Sequence, residues 1–304
     1  MELDHVEAFL AIARTGSFSR ASAALHISQP AISRRIQLLE HELGAPLFDR
    51  IGRGIAVSAA GRAFLPRAQA LVACVRDAVD AVAAARGSEQ GTVTLALVGT
   101  LASSDLATRL RALRQEHPGL DLRLRTALST EVSALVLGGD AALGLRYGTD
   151  PNPDLTTIII HQERLVPVCA ASEQRGGDTS QDALAGQRWL AFPSRPGQPL
   201  DPYSVALRQL LAAHGLGAAE ILPVDSLTAQ KRLVEAGFGV AILPESSLDE
   251  ELRDGTLRVI GSPGLSATIP VALIRRRHAF QGGAARALAG ALIDWRSASA
   301  CTSG

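Results

Sequence analysis

The chain is short of the residues that anchor several large functional classes. Cysteine occurs three times, at Cys74, Cys169 and Cys301, an odd and widely spaced set. This excludes a disulfide scaffold and offers no metal-ligand spacing, so reduced thiols in a cytoplasmic protein are expected. No uncharged apolar run is long enough to span a bilayer. Met1 is followed by Glu2, Asp4 and Glu7, the wrong charge for an export signal. Lysine is almost missing. Lys231 stands alone, and arginine carries nearly all the positive charge. Basic and acidic residues each number 30, giving zero formal net charge. Attraction to phosphate must therefore come from local clusters and not from a global field. Catalytic signatures are also missing: there is no Gly-x-Ser-x-Gly elbow, P-loop or His-Glu-x-x-His. His161, His214 and His278 are scattered. No catalytic residue, cofactor or metal site is expected.

What is present is a globular composition, 47% apolar over 304 residues, enough for two or three domains. The N-terminal stretch is the most informative. Val6, Phe9, Leu10 and Ala13 recur at helical spacing, and Gly16 ends that helix. Ser19 is expected to cap a second short helix through Leu25, with His26 and Ile27 as a turn. Ser28 caps a third helix, and Pro30 sits in its first turn, where a missing amide costs little. On that helix Ile32, Ile36 and Leu39 share one side. Pro30, Ser33, Arg34 and Gln37 share the other, with Gln29 at the border. An amide, a hydroxyl and a guanidinium near a helix N-terminus suit base edges and phosphates in a major groove. Leu47–Arg50 and Ile55–Val57 then flank Ile51-Gly52-Arg53-Gly54, a hairpin that would carry Arg50 and Arg53 toward the DNA backbone. The whole is a winged helix-turn-helix, expected over residues 1–58.

Ser58 can cap a long helix running to about Arg86. Phe64, Ala68, Leu71, Val75, Ala78, Val82 and Ala85 alternate steps of four and three along it. Such a seam needs a partner, either a second copy of the chain or its own C-terminal domain. Residues 59–87 are therefore expected to form a dimerising linker, with Gly87 to Gly91 as a hinge. From Thr92 strands and helices alternate, which implies α/β layers with mainly parallel sheets. One pattern occurs twice: a helix over Ser129–Leu137 runs through Gly138-Gly139 into a strand, and a helix over Ser226–Ala236 runs through Gly237 and Gly239 into another. Two similar lobes would explain this, with a ligand crevice at the strand carboxyl ends. Lobe I is expected near 91–161 and 266–296, and lobe II near 162–265. The Gly99–Ser103 segment, Ser129-Thr130, Tyr147 and Ser226 fall at strand-to-helix junctions that would face such a crevice. Arg146, Arg195 and the helix N-termini hint at an anionic ligand.

At this point the chain resembles the LysR-type transcriptional regulators over essentially its whole length. The resemblance is carried by Ser17–Arg50, by Arg53-Gly54 and by Ser58-Ala59-Ala60-Gly61-Arg62. It is carried more weakly by Asp225-Ser226-Leu227 and Leu233–Pro244. It implies a winged helix-turn-helix, a dimerising linker helix, and a two-lobed α/β effector domain like the type 2 periplasmic binding proteins, spanning 88–304. It also implies a homodimer or homotetramer that binds double-stranded DNA and a small-molecule effector. Residues matching Gln29, Pro30, Ser33, Arg34 and Arg53 meet DNA in such regulators. The effector cleft would be lined by Thr100, Ser129, Tyr147, Pro202, Tyr203 and Ser226. Ser58 stands where threonine is usual, and the wing lacks a basic residue at Ala56. The alternatives are a solute-binding protein, or a cleft enzyme, with an appended DNA-binding domain.

Overall fold

Chain order begins with three helices, α1 (Leu3–Thr15), α2 (Phe18–Ala24) and α3 (Gln29–Leu43), in a computed structural model that describes residues 1–51, 54–85, 91–172, 181–193 and 201–293. Val6, Phe9 and Ile12 of α1 are fully buried against Ala21, Ile32, Ile36 and Leu39. The inward face of α1 thus runs through Val6, Ala8, Phe9, Ala11 and Ile12. Leu10 and Ala13, expected there, are only half-buried, because the dense 5–6, 8–9, 11–12 pairs turn the helix away from them. Gly16 ends α1 in the left-handed conformation. Ser17, not Ser19, caps α2: its hydroxyl accepts from the Arg20 amide. Phe18 already starts the helix, which leaves Ser19 free to donate to Gln29 Oε1 at 3.3 Å and tie α2 to α3. Ser28 caps α3 through the Ala31 amide.

Strands β1 (Phe48–Ile51) and β2 (Gly54–Val57) pair antiparallel, with Ile51 opposite Gly54. Phe48 packs against Phe9 and Phe18 at ring separations of 5.4 and 6.0 Å, so the hairpin is built into the head's core. Helix α4 (Ala59–Ala85) follows directly. The Ser58 hydroxyl accepts from the Gly61 amide and donates to the Pro46 carbonyl. Glycine is required at position 61, since a Cβ there would lie 2.2 Å from the Leu47 carbonyl oxygen. The seam expected along α4 divides. Ala68, with Val72 beside it, is buried in the head's core. Leu71, Val75, Val79 and Val82 are exposed. Ala85 is a seam position whose side chain lies outside the described residues.

The C-terminal region runs β3 (Thr92–Leu97), α5 (Ser104–Glu116), β4 (Asp121–Thr126), α6 (Ser129–Leu137), β5 (Leu143–Tyr147), β6 (Leu155–Ala170) and α7 (Gln181–Ala185). It continues through β7 (Trp189–Ala191), α8 (Pro202–Ala213), β8 (Ile221–Pro223), α9 (Leu227–Glu235), β9 (Val240–Pro244), α10 (Asp249–Asp254), β10 (Leu257–Val259), β11 (Ala267–Arg276) and α11 (Gly283–Ile293). The sheet order is β4-β3-β5-β11-β6-β9-β7-β8, with β10 beside β6. Two parallel triplets, β4-β3-β5 and β9-β7-β8, fit the expected lobes. The strands between them do not fit a mainly parallel sheet. β6 and β11 are antiparallel to each other, from Ala267 opposite Leu165 to Arg276 opposite Leu155, and antiparallel to their outer neighbours. Two strands that carry the chain out and back between the lobes must run in opposite directions. The polar run His161-Gln162-Glu163-Arg164 hides the first half of β6 from an apolar-pattern reading.

Helix α4 also docks on lobe I. The buried Ala73 meets Gly139, whose φ of +71° and missing Cβ permit the approach; an added Cβ would lie 2.8 Å from that of Ala73. Two crossed ion pairs flank the contact. Arg76 reaches Asp140 at 2.9 Å, and Arg276 grips both carboxylate oxygens of Asp77 at 2.7 and 3.1 Å.

Candidate DNA-binding surface and interlobe site

The outward face of α3 is a flat polar surface on a rigid support. Ile32, Ile36 and Leu39 hold the opposite side in the core, which fixes the rotation of the helix. Gln29, Pro30, Arg34 and Gln37 are exposed, and Ser33 is half-buried beside them. Two adjacent arginines are used differently. Arg35 pairs with Asp4 of α1 at 2.7 Å and pins α3 to the first helix. Arg34 takes no ion-pair partner among the described residues and keeps its guanidinium for solvent or a ligand. Arg50 lies on β1, but its side chain is outside the described residues, and Arg53 is outside them altogether.

The second cluster joins the lobes. Thr100 lies in a short 3-10 turn, Gly99–Leu101, after β3, and its hydroxyl shares a hydrogen bond with that of Tyr147, 2.9 Å away. The Tyr147 ring lies 5.7 Å from that of Tyr203, which also packs edge-on to Phe192. The Tyr203 hydroxyl donates to the Ile242 carbonyl of lobe II. Burial pushes both phenols far above their ordinary values. The Thr100 hydrogen bond opposes the shift at Tyr147, while the charges of Glu163 and Asp201 add to it at Tyr203. Both remain neutral and can serve a ligand only as hydrogen-bonding groups or apolar walls. Pro202 is half-buried where α8 approaches Gly148.

Ser129 sits at the first position of α6, fully buried, and its Oγ has no partner among the described residues. Its amide donates to Asp201 Oδ2 at 2.7 Å, a bond between the lobes. Asp201 Oδ1 accepts from the Tyr203 amide at 3.0 Å, so one carboxylate caps both α6 and α8. Helix α6 also caps itself, Glu131 accepting from the Leu128 amide at 3.0 Å.

Two expectations need correction. The segment Gly99–Ser103 does not offer a row of free amides, because the Leu101 and Ala102 amides are spent on Val98 and Gly99 carbonyls, closing the 3-10 turn. Arg146 is not an open anion receptor. It is buried, donates to the Ser133 hydroxyl and pairs with Asp150. Burial alone would raise the Asp150 carboxyl; the Ser133, Asn152 and Arg146 contacts outweigh it and hold the group below the usual carboxylate range. Ser226 is exposed, and its hydroxyl accepts from the Ala229 amide as a helix cap. Arg195 lies outside the described residues. Sequence reasoning missed Asp201 and the buried Glu163, whose carboxylate accepts from the Ser246 hydroxyl at 2.7 Å. An Asp-Pro pair at a helix start signals a cap, but no local pattern signals a cap shared across two lobes. Among the described residues no group of histidine, cysteine, aspartate or glutamate is placed to hold a metal ion. None of the described helices is long and apolar enough to cross a membrane.

Residues 3–62 match the model for the bacterial regulatory helix-turn-helix proteins of the lysR family, and residues 86–297 match the LysR substrate binding domain. The chain belongs to the LysR family of transcriptional regulators. A probable cat1 operon transcriptional activator from Acinetobacter lwoffii is 28% identical over 282 residues, covering 91% of each chain. The crystal structure of CbnR, a LysR family regulator, superposes with a TM-score of 0.62 at 27% identity, covering 96% of this chain and 98% of that one. Full-length CbnR complexed with its target DNA gives 0.60 at 26% identity, covering 97% and 100%. These similarities place the chain among ligand-responsive DNA-binding regulators and not among enzymes or transport proteins.

Proposed function

We propose that this LysR-family regulator reads double-stranded DNA with Gln29, Pro30, Ser33 and Arg34 in the major groove, while Arg50 and Arg53 hold the backbone from the wing. The carrying observation is the division of labour on α3: Arg35 is anchored to Asp4, and Arg34 beside it is exposed and has no ion-pair partner among the described residues. Gln29 can read adenine with its amide fork, and Arg34 can read guanine or clamp a phosphate. The exposed stripe Leu71, Val75, Val79 and Val82 on α4 supports pairing with a second copy, which would present two reading heads to two half-sites; pairs of such dimers would form the tetramer. The division into a head over residues 1–58, a linker over 59–87 and an effector domain over 88–304 is supported at its first boundary by the start of α4 at Ala59. The cytoplasm is the compartment where such a DNA reader works.

A small-molecule effector binds between the lobes, against Thr100, Ser129, Tyr147, Pro202, Tyr203 and Ser226. The unsatisfied Ser129 hydroxyl and the amide at the start of α6 favour an anionic group on it. The effector acts by its differential affinity for two arrangements of the oligomer. The test is titration of the full chain against its own upstream control region and against random duplex, at fixed moderate ionic strength. Arg34→Ala should weaken cognate binding by about 1–3 kcal/mol and leave random binding nearly unchanged. Equal cognate affinity of the two proteins defeats the reading.

A further inference from the structure

We infer that Asp201 is a built-in ligand of the interlobe site: its carboxylate latches lobe II to the first turn of α6 in lobe I, and a carboxylate-bearing effector acts by replacing it. The inference rests on the reading of the cleft as an effector site and adds its mode of regulation. First-turn amides of a helix have no intrahelical partners and attract anions. Helix α6 supplies one acid of its own, Glu131, which is spent on the Leu128 amide. The next amide, that of Ser129, is met from the other lobe by Asp201 Oδ2 at 2.7 Å. The second oxygen accepts from the Tyr203 amide at 3.0 Å, and in the orientation so fixed the carboxylate makes no bond to the Ser129 hydroxyl. That hydroxyl stays fully buried without a partner among the described residues. A free carboxylate is not tied to α8. It can accept from the Ser129 amide and the Ser129 hydroxyl together, satisfying a buried group that Asp201 leaves unsatisfied. The exchange also cuts a bond between the lobes. Effector occupancy and lobe arrangement are thereby linked, and the latch lowers apparent effector affinity by the fraction of time it is shut.

The test uses the full chain and two substitutions. Asp201→Ala removes the carboxylate. Ser129→Pro removes the amide, and proline suits the first position of a helix. Leu128 already holds the extended φ of −73° and ψ of 159° that a residue before proline prefers. In Asp201→Ala the Ser129 amide should exchange with solvent about tenfold faster or more; a change of less than twofold overturns the latch. In a thermal double-mutant cycle the two substitutions should be non-additive, because the lost α8 cap cancels and only the cross-lobe bond remains; additive effects overturn it as well. With sodium acetate as the probe, half-saturation of the Ser129 amide shift should fall about tenfold in Asp201→Ala. Equal half-saturation, or no shift in either protein, overturns displacement. The DNA titration of the preceding section separates the two ideas: unchanged exchange with intact cognate binding defeats the latch alone, and accelerated exchange without cognate binding defeats the regulator reading alone.

Discussion

The head and the interlobe site are both rich in polar side chains, and they treat them in opposite ways. On α3 the core face is sealed by Ile32, Ile36 and Leu39, and the polar groups Arg34 and Gln37 are left to solvent, with Gln29 exposed beside them and accepting from Ser19. Between the lobes the polar groups face one another: Thr100 with Tyr147, Arg146 with Asp150 and Ser133, and the Ser129 amide with Asp201. A surface of the first kind is ready to dock and pays little reorganisation. A site of the second kind must give up internal bonds to take a ligand, which is what makes it able to change state. On the proposed function, sensing and reading are thus separated by chemistry as well as by position. Helix α4, buried against the head at Ala68 and Val72 and against lobe I at Ala73, is the mechanical connection.

The sharpest way to break this contrast is to remove a buried partner. Arg146→Ala strands the Asp150 carboxylate in a site where its partners now hold it charged. Lobe I should lose about 3–5 kcal/mol of stability in denaturant unfolding followed by a lobe I probe. A loss below 1 kcal/mol means that Arg146 is effectively solvated and available to an anion after all. Next comes the α4 stripe. Val75→Glu replaces an exposed seam residue and should remove about 1.5–3 kcal/mol of apolar burial per chain from any dimer that forms there. Sedimentation at micromolar concentration should show dissociation without loss of helix content. An unchanged oligomer would place the interface elsewhere.

The same contrast explains which parts were legible in the amino-acid order. Ser28, Pro30, Ile32, Ile36 and Leu39 lie within one helix, so the period of 3.6 alone sets the buried side and the cap. The hairpin and the glycine-marked repeats leading into β5 and β9 are equally local. The interlobe cluster joins Thr100, Ser129, Tyr147, Asp201 and Tyr203 from four separate segments. No spacing rule can relate Asp201 to Ser129, because they lie 72 residues apart with the shared strand β6 between them. Arg146 misled for the same reason: an arginine at a strand end looks available until Asp150 and Ser133 fold over it. Even within the head, Ser17 and Ser19 were interchangeable by composition, and only the position of Phe18 in the helix decides which one caps.

A smaller effect should separate the lobes from the head by pH. The Asp150 carboxyl is held below its ordinary value in the folded chain, so its contribution is fully present above the unfolded value near 4 and is lost as pH falls through the lower, folded one. Unfolding midpoints measured from pH 5 downward should fall for lobe I, and Asp150→Asn should remove part of that slope. An identical slope in the variant would show that Asp150 does not contribute to the acid response.

The smallest effect is the most discriminating, because it concerns two neighbouring residues of one type. Arg34 and Arg35 differ only in which side of α3 they reach. Arg35→Ala breaks a surface pair whose Asp4 partner is largely exposed, so it should cost about 0.2–1 kcal/mol of head stability and fade in high salt. Its effect on cognate DNA should be no larger than that stability loss transmits, and equal for cognate and random duplex. Arg34→Ala should do the reverse, with stability unchanged and discrimination reduced. If both substitutions weakened binding equally for all duplexes, the two guanidinium groups would be serving the phosphate backbone together. The base-reading role of the exposed face would then fall to Gln29 and Ser33.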